Sequence, residues 1–465
     1  MRNSNHRKQK KELMALVVIL GLICMGLVVG IVYQIISLRA EKADAPAPFS
    51  GLSHEDLRDL DDPPQDENDN DESIEKADED LAVEDAVQED DTSEEEDVTD
   101  SSGNELTAEQ EAYIQSLIEK MTLEEKICQM IFLTPEGITG VNPTTAAGSV
   151  TKEALNRYPV GGLILLAPNI VNPDQLLEMN TNIQKIVAEY SEMPMFIGID
   201  EEGGRVLRVA KNDSFGVNKT GTMSSIAATG DVNNAYAAGN YIGDYLHKYG
   251  FNLDLAPDVD VITEPTNEVI GDRSFGSDPQ LVADYSEAYI NGLHDAGVLG
   301  CPKHYPGHGA TIADTHKGAA VSERTWDELL DNELIPFIRM INNGVSVIMA
   351  SHIEVPAVTG DHTPTTLSEI LLTEKLRGEL GFDGIIITDA MNMGAITNSY
   401  SSSDAAVRAV KAGADMLLTS EAIDNTYNGL LNAVKNGELT EERINESVAR
   451  IYRVKLKLKQ DENNE

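Results

Sequence analysis

Residues 384–389 read Gly-Ile-Ile-Ile-Thr-Asp: a small residue, three β-branched apolar residues, a threonine and then a carboxylate. A run this short and this apolar reads as a strand buried on both faces, the kind that parallel sheets use. Asp389 then stands at its C-terminal end. Seven more runs share the pattern: Gln129–Leu133, Gly162–Leu166, Phe196–Ile199, Asn252–Leu255, Leu299–Pro302, Val345–Met349 and Met416–Thr419. Stretches with apolar residues at helical spacing separate most of them, including Pro173–Tyr190, Asn233–Tyr249, Asp278–Ala296, Trp326–Asn343 and Ser368–Leu380. Before the first run, Thr107 caps a predicted helix over Ala108–Met121, and Thr122 with Glu125 forms a second capping signal. A last helix is expected around Thr440–Leu458.

Strands that alternate with crossover helices predict an α/β fold, a single (β/α)8 TIM-type barrel over residues 106–465. A doubly wound open sheet is the alternative. It wants a glycine-rich phosphate loop after its first strand. Gly161-Gly162 precedes its strand, and Glu202-Gly203-Gly204-Arg205 lacks the fingerprint spacing.

In such a barrel, chemistry sits at the C-terminal strand ends. Those positions are strongly polar. Asp200, Glu201 and Glu202 follow the third run, and Asp254, Asp258 and Asp260 lie at and after the end of the fourth. Lys303-His304-Tyr305-Pro306-Gly307-His308-Gly309 and then Asp314-Thr315-His316 follow the fifth. Ser351-His352 follows the sixth, and Asp389 the seventh. A carboxylate at 389 is a candidate nucleophile or metal ligand. Asp314 and His316, two apart in a glycine-bearing loop, suit an imidazole oriented by a carboxylate as acid/base. A nucleophile plus a separate acid/base is the minimum for retaining glycoside cleavage. A metal site built from His304, His308, His316, His352, Asp314 and Asp389 competes. It lacks the His-x-His pair that metal-dependent barrel hydrolases carry after their first strand, and Pro306 and Gly307 keep His304 and His308 off a helix. The expected site therefore holds no metal and needs no cofactor.

The net charge of −44 is uneven: residues 51–100 hold 24 Asp/Glu against Arg58 and Lys76. This acidity excludes a nucleic-acid partner, which needs a surplus of Lys and Arg. With three cysteines, one of them (Cys24) inside an apolar run, a disulfide scaffold is excluded as well. Cys128 and Cys301 are expected as buried free thiols in core strands. Residues 1–12 form a basic segment, and no charge occurs from Leu13 to Tyr33. Such a run can span the roughly 30 Å of a bilayer's hydrocarbon as a helix. Residues 13–38 are therefore expected to be a single-pass transmembrane signal anchor, with the rest of the chain extracytoplasmic at the cell membrane. The competing reading is a signal peptide cleaved at Ala43–Ala45, which would secrete the protein. Residues 39–105 are too acidic and too poor in aromatics to fold and are expected to be a disordered linker.

Lys303–Gly309 followed by Asp314-x-His316 resembles the signature of family 3 glycoside hydrolases, in the bacterial β-N-acetylglucosaminidase branch. Four further stretches carry the resemblance: Asp200 with Glu202–Arg205, Phe251–Pro257, Ile270–Pro279 and Thr388–Gly394. It implies a retaining exo-β-N-acetylglucosaminidase acting on terminal β-linked GlcNAc of glycans or peptidoglycan fragments. Asp389 would be the nucleophile and Asp314 with His316 the acid/base dyad. Asp200, Arg273, Lys303 and His304 would grip the sugar, with Arg205 supporting them. Charged donors suit a polyol with neighbouring hydroxyls. Glu201, Tyr305 and Thr315 stand where the family usually has Gln, Phe and Ser. Family β-glucosidases usually add a sandwich domain and lack the Asp-x-His dyad. A β-glucosidase-type hydrolase, a GlcNAc phosphorylase and an inactive surface glycan-binding protein are the rival readings. The last is disfavoured by 5% aromatic content and by a sole tryptophan, Trp326, in a helix pattern.

Overall fold

The computed structural model describes residues 106–311 and 313–464. The basic segment 1–12, the expected anchor 13–38 and the expected linker 39–105 lie outside the described residues. Among the described residues, no helix is long and apolar enough to cross a membrane.

Both capping signals do what their chemistry predicts. Thr107 and Thr122 each form a reciprocal capping box, with Gln110 and Glu125, over helices Ala108–Ile118 and Leu123–Gln129. The first helix ends three residues before the expected Met121, because the chain must extend to make Thr122 the next cap. Cys128 falls in the second helix and not in a strand, while Cys301 directly follows a strand; both are free and buried.

The eight runs give eight strands: β1 (Ile131–Leu133), β2 (Gly162–Ile164), β3 (Phe196–Ile199), β4 (Leu253–Asp254), β5 (Leu299–Gly300), β6 (Val347–Ala350), β7 (Ile385–Thr388) and β8 (Leu417–Thr419). The pairing is parallel throughout, in the order β5-β4-β3-β2-β1-β8, with β6-β7 as a second sheet. Backbone hydrogen bonds cross both gaps between these sheets. Beside β5, the Tyr305 amide donates to Met349 at 2.9 Å and the Met349 amide to Pro302 at 3.1 Å. Between β7 and β8, the Thr388 amide donates to Met416 at 3.0 Å. Phe132 needs glycine beside it. A Cβ at Gly162 or Gly198 would stand 2.3 or 2.5 Å from its ring carbons, so these two neighbours on β2 and β3 leave room for the ring.

One expected helix is broken. Residues 326–343 form Trp326–Asp331 and Ile335–Asn342, separated at Asn332. Pro336 lacks an N–H, and its ring excludes a helical carbonyl at position 332, so the first helix must stop. The buried Glu333 in this break accepts a hydrogen bond from Thr263 at 2.8 Å. The segment expected as the helix Ser368–Leu380 runs over Ile370–Glu379 with π-type bonding. The closing helix, Glu441–Asn464, covers the N-terminal strand ends. There it buries Lys455, whose Nζ donates to Gln129 Oε1 at 2.9 Å and lies 5.2 Å from the Phe196 ring centre. Burial alone pushes the Lys455 ammonium down to about 7.

Candidate active site

The opposite strand ends gather the predicted polar residues. Lys303 is 3% exposed, and its Nζ meets Glu202 at 2.6 Å and Asp200 at 3.0 Å. Arg273, on a 3-10 turn between β4 and β5, reaches Glu202 with two guanidinium nitrogens, both at 2.8 Å, and Asp258 at 3.3 Å. Burial pulls the Lys303 ammonium down, but Glu202 and Asp200 outweigh it and hold its pKa above the usual lysine range. Burial likewise raises Glu202, and Lys303 with Arg273 reverse that, holding it well below the carboxylate range. The charges stay on because each is paired.

Next to this cluster, His304 is bound through Nδ1 to Asp260 at 2.8 Å, and its Nε2 lies 3.5 Å from Arg273 Nη2. Burial pushes the imidazole down to about 4 against the pull of Asp258, so it is neutral at ordinary pH. Asp258 is pushed up to about 7 by burial and by the neighbouring Asp260. Asp254, at the end of β4, is raised well above its usual value by burial and accepts the Glu201 amide at 2.9 Å. Asp258, Asp260 and His304 bring three potential ligand atoms within 4.8 Å of one another. Arg273 already stands as the cation beside Asp258, and Asp260 holds the His304 ring N–H. Of the histidines weighed as metal ligands, His308 bonds Thr311 at 2.8 Å and His352 bonds Thr366 at 2.8 Å, each through Nδ1.

Asp389 directly follows β7. Its Oδ1 accepts the Ala390 amide at 2.7 Å, and its own amide donates to Ala350 at 2.8 Å. Burial raises its carboxyl, but His352, His304, the Ala390 amide and Lys303 outweigh burial and hold it below the usual range. It is an ionised carboxylate at the end of a buried strand.

Asp314 and His316 pair as the spacing predicted, Oδ1 to Nδ1 at 3.0 Å, and Asp314 Oδ1 also accepts the His316 amide at 3.0 Å. Lys317 takes the other carboxylate oxygen at 3.2 Å. Burial would raise the Asp314 carboxyl; the His316 amide, Lys317 and the His316 ring hold it low instead. The His316 ring is 71% exposed. The loop rests on the turn after Asp389: the Ala395 amide donates to Thr315 at 3.0 Å and the Gly394 amide to His316 at 3.2 Å. A Cβ at Gly394 would lie 2.8 Å from the His316 carbonyl oxygen.

The structure separates the two arginines after β3. Arg205 turns away from Asp200. Its Nη2 donates to the carbonyls of Glu268, Val269 and Ile270 at 3.0, 2.8 and 2.7 Å, and its Nε pairs with Asp272 at 3.1 Å. It braces the turn that carries Arg273. Arg208, which the sequence reading passed over, is the one facing Asp200, at 3.5 Å. Gly203 and Gly204 have φ of 95° and 52°, a left-handed turn that bends the chain back within two residues. Glu201 then fixes the returning chain, accepting the amides of Arg208, Val209 and Ala210 at 2.5, 2.9 and 2.9 Å and the Tyr245 hydroxyl at 2.9 Å. A buried carboxylate beside two glycines was the available signal for this brace.

Charged groups converging at the C-terminal ends of parallel strands define an α/β enzyme domain. The particular family follows from comparison: residues 122–454 match the glycosyl hydrolase family 3 N-terminal domain, and the chain belongs to that family. Beta-hexosaminidase A of Pseudoalteromonas piscicida is 34% identical over 331 residues, which cover 66% of this chain and 55% of that protein. Beta-hexosaminidase LpqI of Mycobacterium tuberculosis is 33% identical over 339 residues, covering 71% of this chain and 82% of the relative. Among solved structures, a family 3 beta-N-acetylglucosaminidase from Paenibacillus sp. str. FPU-7 superposes with a TM-score of 0.67 at 37% identity, covering 73% of this chain and 62% of that one. The beta-glucoside phosphorylase BglX superposes with a TM-score of 0.66 at 26% identity, covering 77% of this chain and 62% of that one. The chain thus spans a little over half of the Pseudoalteromonas relative and under two thirds of the Paenibacillus structure.

Proposed function

We infer that this chain is a retaining exo-β-N-acetylglucosaminidase that removes terminal β-linked GlcNAc from glycans or peptidoglycan fragments. The observation that carries this reading is the Asp314–His316 pair at 3.0 Å on a loop seated against the turn that follows Asp389. Relatives named beta-hexosaminidase and the beta-N-acetylglucosaminidase structure support the choice of sugar. The domain is read as a closed (β/α)8 barrel, a reading supported by the hydrogen bonds across the β5–β6 and β7–β8 gaps.

In this mechanism Asp389, kept ionised, attacks the anomeric carbon as the leaving oxygen takes a proton from His316. Asp314 holds His316 through Nδ1, leaving Nε2 to carry that proton. In the second step the same nitrogen takes a proton from water, which attacks the glycosyl-enzyme and frees Asp389. Lys303, Arg273, His304, Asp200 and Arg208 hold the sugar's hydroxyls, and Arg205 braces Arg273. The N-terminal apolar run, read from sequence, supports a single-pass protein whose catalytic domain lies outside the cell membrane.

The test is turnover of nitrophenyl β-GlcNAc against a panel of other nitrophenyl glycosides. Asp389→Ala should abolish it, and a 2-fluoro sugar should label Asp389. Labelling at another carboxylate overturns the assignment. Phosphorolysis is the second reading. It is favoured by a histidine base that does not repel anions and by the phosphorylase neighbour. Hydrolysis is expected to dominate, and sugar 1-phosphate prevailing at millimolar phosphate would reverse that order.

A further inference from the structure

We propose that Asp260 is a positioning residue: it fixes His304 as the tautomer with its hydrogen on Nδ1, so that Nε2 is a lone pair that accepts a hydroxyl proton of the bound sugar. The substrate part of this inference rests on the sugar-binding reading above.

Arg273 assigns the tautomer, and Asp260 fits it. Nδ1 faces Asp260 Oδ2 at 2.8 Å, and Nε2 faces Arg273 Nη2 at 3.5 Å. A guanidinium only donates, so it faces a lone pair; Asp260, whose Oδ1 already accepts two backbone amides, takes the Nδ1 hydrogen in its ionised form, which burial disfavours and His308 and Arg273 support. A neutral imidazole has one N–H and one lone pair, so only hydrogen on Nδ1 satisfies both sides. The other tautomer would set two donors face to face and leave a lone pair against the carboxylate. Burial keeps the ring neutral, so the third state, with hydrogens on both nitrogens, is disfavoured.

Asp260 is itself held from turning. Its Oδ1 accepts the His308 amide at 2.5 Å and the His304 amide at 3.4 Å, and its own amide donates to Asp258 at 3.1 Å. Its backbone carbonyl accepts the Ser274 hydroxyl at 2.5 Å. One buried carboxylate therefore clamps both ends of the His304–His308 turn and the His304 ring.

The consequence is a division of labour at the sugar. Lys303 and Arg273 only donate, so they serve hydroxyl oxygens. A hydroxyl bound that way must also give its hydrogen away, and His304 Nε2 is a neutral place to put it once the hydroxyl displaces the long 3.5 Å approach of Arg273 Nη2, which keeps its 2.8 Å bond to Glu202. A neutral acceptor adds no further negative charge to a site that already holds Asp200, Glu202 and Asp389.

Full-length protein labelled with 15N-histidine, compared with its His304→Gln variant to assign the resonance, should show a neutral His304 with hydrogen on Nδ1. Hydrogen on Nε2, or an imidazolium at pH 7, overturns the proposal without any change at Asp260. The kinetic test uses aryl β-N-acetylglucosaminides with one ring hydroxyl replaced by fluorine, which accepts weakly and cannot donate. Wild-type enzyme should lose about 10- to 100-fold in kcat/KM at one position beyond the losses at the others. Asp260→Asn offers an N–H to Nδ1, turns Nε2 into a donor and should shrink that penalty roughly tenfold; fluorine's inductive effect is common to both enzymes and cancels. In a His304→Ala background, Asp260→Asn should leave the penalty unchanged. A folded Asp260→Asn enzyme with the wild-type penalty overturns the proposal. If wild-type protein cleaves no aryl β-GlcNAc, the sugar assignment falls, and the labelled-histidine measurement still decides the role of Asp260.

Discussion

Lys303 and Lys455 are 3% and 2% exposed, at opposite ends of the same strands. Lys303 sits among Glu202, Asp200 and Arg273, and its charge is strengthened. Lys455 has Gln129 and two aromatic faces, Phe196 and Tyr452, and its charge is weakened to the point of titrating near 7. Burial is the same; the partners differ. At the C-terminal strand ends, two carboxylates hold a charge in place. At the N-terminal strand ends, a long side chain fills space, and its charge is a cost.

The largest break in this comparison is Lys303→Met. It leaves Glu202 with Arg273 alone and Asp200 with the more distant Arg208 alone. Breaking a buried pair from one side costs about 3–5 kcal/mol. Chemical denaturation should show that loss, and glycosidase assays should show activity falling below detection. A variant as stable as wild type would mean that the carboxylates relax without the lysine.

His316→Ala tests the opposite extreme, an imidazole exposed on a loop. Stability should change by no more than about 0.5 kcal/mol. The rate with a natural sugar leaving group should fall about 100-fold or more, while an activated aryl glycoside keeps much of its first-step rate. Equal losses with both leaving groups would remove His316 from the acid role.

Lys455→Met has the opposite sign and leaves activity untouched. The folded pKa is depressed to about 7 from 10.5, so between these values the unfolded chain binds a proton that the folded chain does not. Wild-type stability therefore carries its full penalty below pH 7 and regains it as pH rises towards 10.5. The methionine variant should be more stable by about 1–3 kcal/mol at neutral pH, with the gap closing by pH 10. A gap that is constant with pH would mean Lys455 stays charged when folded.

How much of this could be read in the chain alone depends on periodicity. The eight strand positions and the caps at Thr107 and Thr122 follow from local patterns, and strand ends then point to Asp200, Lys303, His304 and Asp389. Beyond a strand end no period survives. Arg205 and Arg208 are three residues apart on an irregular return, and composition favours neither. Which one meets Asp200 is settled by the Gly203–Gly204 turn and by Glu201 gripping the amides of 208–210. Trp326–Asn343 read as one helix because the apolar spacing continues across Pro336, and the ring's clash with position 332 acts through the backbone, which spacing does not record. Cys128 reads as a strand residue because one apolar run spans a helix end and the start of β1.

Gly394 gives the mouth a gauge. The carbonyl oxygen of His316 lies only 2.8 Å from where a Cβ at 394 would be. Glycine there sets how closely the Asp314–His316 loop can settle on the turn after Asp389. If Asp389 and His316 act as proposed, a methyl group at that point would widen the slot between them. Slot width, and not the chemistry of either group, would then sort leaving groups by bulk, with narrow aglycones losing contact first.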